Sequence, residues 1–303
     1  MFKKTAIVAG IGLAISATAQ ADYQWELGGA YSMGEYSADV KNNSVVGGNK
    51  SKDIDEDIGT LFGTYYLENV DTSKGPLRQA AFLDHASDIT IFARDGDVDL
   101  NSLDRNLEDQ DGQSYGISSR YVAEGPGWKL SGWLMDLGFE RREPADKEVD
   151  NYTIGIGKYL TPNTTLVFDY NKINVNNGND TDSYGGDLAH FFAMSSGGIK
   201  ANVGAGKLVI NNGDDVESYD IGATWYINNN IGFGGGYENT SQDGGQEVDR
   251  FFVNADWFIT ESFAMDLTYG QANFDDQDIS AANGGGKLEL ENEFIRLGAA
   301  LRF

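Results

Sequence analysis

From Ile295 to Phe303 every second position is apolar: Ile295, Leu297, Ala299, Leu301 and Phe303. Between them stand Arg296, Gly298, Ala300 and Arg302, which are small or charged. A period of two with one apolar face predicts a half-buried strand. The alternation recurs in fourteen segments: 23–33, 58–67, 87–94, 113–122, 128–137, 151–160, 164–173, 183–194, 199–210, 217–227, 231–238, 248–259, 262–270 and 291–303. It is especially regular where Phe251, Val253, Ala255, Trp257 and Ile259 alternate with Arg250, Asn254 and Asp256. The glycine-rich 231–238 and the short 87–94 are the weakest, so the pattern admits twelve to sixteen strands.

The connections alternate in length. Short ones fall at 123–127, 161–163, 195–198, 228–230 and 260–261, and are rich in Gly, Pro, Asn or Ser as tight hairpins require. Long ones fall at 34–57, 95–112, 138–150, 174–182, 211–216, 239–247 and 271–290. Short turns on one side and long loops on the other are the asymmetry of a membrane barrel. One inner connection, 68–86, breaks the rule. Pro76 suits a first helical turn, and Leu77, Ala80, Ala81 and Asp84 share a face. This predicts one short amphipathic helix, on the periplasmic side or folded against the barrel mouth.

The other face of the strands decides the environment. Glu26, Asp88, Arg94, Arg120, Lys129, Asp169, Asp187, Lys200, Asp220, Glu238, Arg250, Asp256, Asp266 and Arg296 occupy alternate positions inside strands. A soluble barrel would fill those positions with an apolar core, whereas charge there requires a wet interior. In hydrocarbon a β-protein must be a closed barrel, because every backbone polar group needs an internal partner. Aromatic residues fall near strand ends as a girdle would: Tyr23, Trp25, Tyr121, Trp128, Tyr159, Trp225, Trp257, Phe263 and Phe303 on the inner side. On the outer side stand Tyr31, Tyr115, Tyr152, Tyr170, Tyr184, Tyr219, Tyr237, Phe251 and Tyr269. The expected fold is therefore all-β, a transmembrane antiparallel β-barrel of about fourteen strands. Eight strands would be filled by side chains and sixteen to eighteen leave an aqueous channel, so fourteen leave a narrow pore unless a loop plugs it.

The N-terminus reads as a secretory signal. Lys3 and Lys4 precede the apolar run 5–17, too short for a stable membrane anchor, and Ala19-Gln20-Ala21 supplies a small-x-small cleavage motif. Residues 1–21 are the expected signal peptide and 22–303 the mature barrel. The mature chain then carries 20 basic against 47 acidic residues. That balance excludes nucleic acid as a partner and disfavours docking on an anionic lipid surface. The absence of cysteine fits an exported chain that does not rely on disulfides.

Candidate chemistry is sparse. His85 and His190 are the two histidines, and neither has a metal-ligand partner at useful spacing. His190 with Ser195 or Asp187 is no recognisable hydrolase constellation. The segment Asp95-Gly96-Asp97-Val98-Asp99 opens like a calcium loop but has Leu100 and Asn106 where that loop needs Gly and Glu. Asp53-Ile54-Asp55-Glu56-Asp57 is a second acidic cluster, and for both solvated loop charge outweighs a weak divalent-cation role at lipopolysaccharide phosphates. No cofactor, metal or catalytic residue is expected.

The pore-lining candidates are Arg94, Arg120, Lys129, Asp169, Asp187, Asp220, Arg250, Asp256, Asp266 and Arg296, with Arg141 and Arg142 as loop residues able to fold into the mouth. Rings of opposite charge set ion preference in channels, and the acidic excess predicts a mild preference for cations.

The stretch Asp71-Thr72-Ser73-Lys74-Gly75-Pro76-Leu77, followed by Ala80-Ala81-Phe82-Leu83, resembles one found in a porin family of gamma-proteobacteria. The closing Leu301-Arg302-Phe303 is similar to the C-terminal signal that the barrel-assembly machinery reads in Gram-negative outer-membrane barrels, with Leu301 and Phe303 as its apolar residues. This resemblance implies outer-membrane residence among lipid and lipopolysaccharide, and passive diffusion of small hydrophilic solutes and ions without an enzymatic step. It also implies a homotrimer, although a monomer is equally compatible with the acidic barrel itself. The alternative is a non-conducting barrel whose acidic loops serve a structural or adhesive role; an outer-membrane hydrolase ranks third.

Overall fold

The structure, a computed structural model, describes residues 22–43, 48–99, 110–123, 131–144, 148–176, 178, 180–211, 213–242, 245, 247–278 and 287–303. The predicted signal peptide and Trp128 and Lys129 lie outside the described residues.

Fourteen strands follow one another: β1 (Tyr23–Asn43), β2 (Gly48–Val70), β3 (Asp88–Asp99), β4 (Gln110–Val122), β5 (Trp133–Pro144), β6 (Val149–Thr161) and β7 (Thr164–Val175). The second half comprises β8 (Thr181–Met194), β9 (Gly197–Ile210), β10 (Val216–Tyr226), β11 (Ile231–Gln242), β12 (Glu247–Thr260), β13 (Phe263–Asp278) and β14 (Lys287–Arg302). Each pairs antiparallel with its neighbours in sequence, and β1 pairs with β14. The register there sets Glu26 opposite Arg302 and Tyr31 opposite Leu297. The sheet therefore has no free edge, which is the condition for crossing hydrocarbon.

The outward face is apolar around the barrel. Ile91, Ile154, Phe168, Ile221 and Val253 are all more than half exposed in the isolated chain. In water such a surface would be an aggregation hazard, and in a bilayer it is the lipid contact.

Three expectations need correction. The long outer connections are shorter than the alternation indicates, because the strands run on past the apolar band. The 34–57 loop is mostly β1 and β2, and Arg141 and Arg142 belong to β5. Strand β5 begins at Trp133, five residues later than the alternation indicates. Two supposed girdle residues, Tyr23 and Tyr159, are buried inside. A register shift between Tyr23 and Trp25 turns Tyr23 inward, and Tyr159 lies on the inward parity of β6.

Inward phenylalanines lie flat against the wall where a neighbouring strand carries glycine. A Cβ at Gly116 would lie 2.6 Å from Phe92, and one at Gly270 would lie 2.3 Å from Phe294. Gly28 and Gly236 admit Phe62 and Phe252 in the same way. Glycine marks these close approaches because any side chain would collide.

The compact core sits at the inner end. Residues 71–87 form two 3-10 turns, Thr72–Lys74 and Leu77–Gln79, and one α turn, α1 (Ala80–Leu83). Its buried residues pack against four separate parts of the wall. Ala80 joins Tyr23, Tyr66 and Val70, and Leu77 joins Phe258 and Ala264. Leu83 meets Phe191 and Tyr226, while Phe82 packs on that cluster and on Val122, Leu134 and Tyr159. One segment that touches β1, β4, β6, β8, β10, β12 and β13 must cross the lumen. Of the two placements the sequence left open, the folded-in one is found.

Candidate functional site

The crossing segment is held by polar contacts as well as packing. Asp71 caps the first turn by accepting from the Ser73 amide at 2.8 Å. That bond and the Ser73 side chain hold the Asp71 carboxyl below its usual pKa. Asp84 accepts from the Asp71 amide and pairs with Lys74, so the two ends of the segment are tied together. The Leu77 amide donates to the Asn229 carbonyl at 2.9 Å, and Arg302 Nη1 donates to the Leu77 carbonyl at 2.7 Å. Gln79 Nε2 donates to Tyr226 Oη at 2.6 Å, and Tyr159 Oη donates to the Phe82 carbonyl at 3.0 Å. His85 leaves the helix with φ 55°, stacks on Tyr159 at 3.9 Å between ring centres, and donates from Nε2 to the Pro162 carbonyl.

Arg78 is the charged centre of the segment. Its guanidinium lies 3.5 Å from Asp256 on β12 and 3.9 Å from Asp266 on β13. Burial alone would lower its pKa, but Asp256, Glu26 and Asp266 outweigh that and raise it, so it stays charged. Across the lumen, Lys200 on β9 stands over the Phe82 ring at 4.9 Å.

Above this segment the inward wall divides into arcs. On β3–β5, Arg120 makes a bidentate pair with Asp136, both bonds 2.8 Å, and Arg94 reaches Glu140 at 2.9 Å. On β11–β14 and β1, Arg250 pairs with Glu238, Arg296 with Asp266, and Arg302 with Glu26. The arc β7–β10 differs. Among the described residues Asp169, Asp187 and Asp220 face inward there with Lys200 as the one inward cation, and none of the three carboxylates forms an ion pair. Asn171 donates to Asp169 at 2.9 Å and Asn202 to Asp220 at 3.0 Å. Asp169 and Asp220 lie against Gly185 and Gly204, so little side-chain bulk stands in front of them.

Nine of the ten pore-lining candidates thus sit on inward strand positions, and Lys129 is outside the described residues. The missed residue is Arg78. Its sequence signal was only its place in the anomalous inner connection. Arg141 points out and pairs with Asp150, whereas Arg142 points in. The hydrolase constellation does not form: Asp187 faces the lumen, while His190 faces lipid and bonds the Thr164 hydroxyl at 2.7 Å. Among the described residues no group of three metal-ligating side chains converges.

A family model described as "Putative general bacterial porin" matches residues 26–205, more than half of the chain. No curated protein sequence matches it. Among solved structures, the outer membrane protein Omp33 of Acinetobacter baumannii superposes with a TM-score of 0.57 at 19% identity, covering 93% of this chain and 99% of that one. A deletion mutant of the TodX monoaromatic hydrocarbon channel superposes with a TM-score of 0.60 at 10% identity, covering 93% and 91%. At these identities the two structures speak for the fold alone.

Proposed function

The chain belongs to this general bacterial porin family and is an outer-membrane barrel of the passive-channel type, and from that premise we propose that it conducts small hydrophilic solutes and ions with a mild preference for cations. The observation that carries the preference is the β7–β10 arc. Among the described residues each inward arginine on the other strands pairs with a carboxylate, with Arg94 and Arg142 sharing Glu140, and the inward Glu56 and Asp88 add further acid, so those arcs are nearly neutral. Asp169, Asp187 and Asp220 leave an excess of negative charge on one wall, where water-filled space keeps it available to a passing ion.

The segment 71–87 acts as an inner gate in this reading. It crosses the lumen at the periplasmic end, so conduction requires it to shift, and its ties to the wall set how often it does. Single-channel recording from purified protein in planar bilayers tests both parts. A KCl gradient should give a reversal potential on the cation side, reduced in the D169N/D187N/D220N variant. Replacing 72–83 by a Gly/Ser linker should raise the mean conductance. Anion selectivity in wild type defeats the first part, and unchanged current in the linker variant defeats the second.

A further inference from the structure

A second feature of the lumen lies at the opposite, outer end. A pocket of about 480 Å³ opens in the inward wall of β2–β6, a volume in the range of small-molecule sites. Gly96 and Gly112 create the hollow, since neither contributes a side chain where its neighbours do. Two arginines converge in it on a single carboxylate. Arg94 Nη1 donates to Glu140 Oε1 at 2.9 Å, and Arg142 donates from Nε and Nη2 to the same carboxylate at 3.1 and 3.2 Å. Glu140 is largely covered, whereas both guanidiniums stay about half exposed. Most of their N–H donors are not engaged by the described residues. Everywhere else on the described wall the arginine–carboxylate pairing is one to one or richer in acid.

We propose that this pocket binds a small organic carboxylate with an apolar body. The planar donors of Arg94 and Arg142 match a carboxylate in shape and charge. Ile58, Val98 and Val149 line the remaining wall, so an aliphatic body loses water there while the charged end meets the guanidiniums. Glu56 also borders the pocket, but its carboxylate leans towards Gly34 on β1, at 3.5 Å from where a Cβ would stand. The site would hold solutes at the outer mouth before the acidic arc deeper in the lumen, which favours solutes that also carry a positive group for passage onward. The proposal rests on a water-accessible lumen, as does the channel reading, but not on conduction.

Calorimetry on the purified, folded barrel in detergent therefore separates the two, with 4-methylpentanoate and its amide 4-methylpentanamide as probes. The acid should bind at least about tenfold tighter than the amide, the worth of a charge-assisted contact. R94Q/R142Q should remove that difference. G96V should weaken the acid by a similar factor, because a Cβ there meets only ordinary contacts and its methyl groups fill the hollow. The second variant decides the matter if the first does not fold, as judged by heat-dependent gel mobility. Equal binding of acid and amide to wild type overturns the proposal, as does acid binding that G96V leaves intact.

Discussion

Arg78, on a segment between two strands, sits 3.5 Å from Asp256 on β12, a residue 178 positions further along the chain. The contact joins the inner plug to the far wall of the barrel, and Gln79 adds a bond to Tyr226 beside it. Losing the charge at 78 leaves Asp256 and Asp266 to repel each other and removes a charge-assisted contact worth about 1.5 kcal/mol. R78Q is expected to raise the open population roughly tenfold, seen as a matching rise in open probability in single-channel records while the single-channel conductance stays the same.

The glycine slots of the wall set a stability prediction. Gly270→Val places new atoms inside the Phe294 ring and should cost about 1–3 kcal/mol by overpacking. Gly34→Ala, whose nearest neighbour would be 3.5 Å away, should be close to neutral. Urea midpoints of folded barrels in detergent, followed by gel mobility, compare the two.

The Asp71 cap brings a pH dependence of definite sign. Its carboxyl is held below the usual range by bonds from Ser73, so the stabilisation is present above an ordinary carboxylate pKa near 4 and disappears as pH falls through the lower folded value. Hydrogen exchange at the Ser73 amide should be faster in D71A than in wild type at pH 7. The two should converge at pH values well below 4.

Export is checked most simply. The mature chain recovered from outer membranes is expected to begin at Asp22, after the Ala19-Gln20-Ala21 motif. N-terminal sequencing or intact mass reads this directly, and retention of Lys3 and Lys4 would contradict it.

The strands were legible in the sequence because a barrel wall imposes one rule on every position, lipid on one side and water on the other. Ile295, Leu297 and Leu301 against Arg296 and Arg302 already carry that rule, and their pairing partners on β1 follow it in turn. The inward side of Arg94, Asp169 and Asp220 came from the same parity. Parity fails at Tyr23, where a register shift reversed its face, whereas at Tyr159 parity holds and the girdle assignment fails, because this inward ring bonds the plug and not the membrane interface. What only the tertiary structure decided is which distant groups meet. Residues 71–87 are amphipathic in sequence, but only closure of β1 on β14 creates the space they cross and brings Asp256 to Arg78. The convergence of Arg94 and Arg142 on Glu140 likewise depends on the register of β3, β4 and β5. Alternation records the solvent on each side of a strand, and it contains no record of the partner across the lumen.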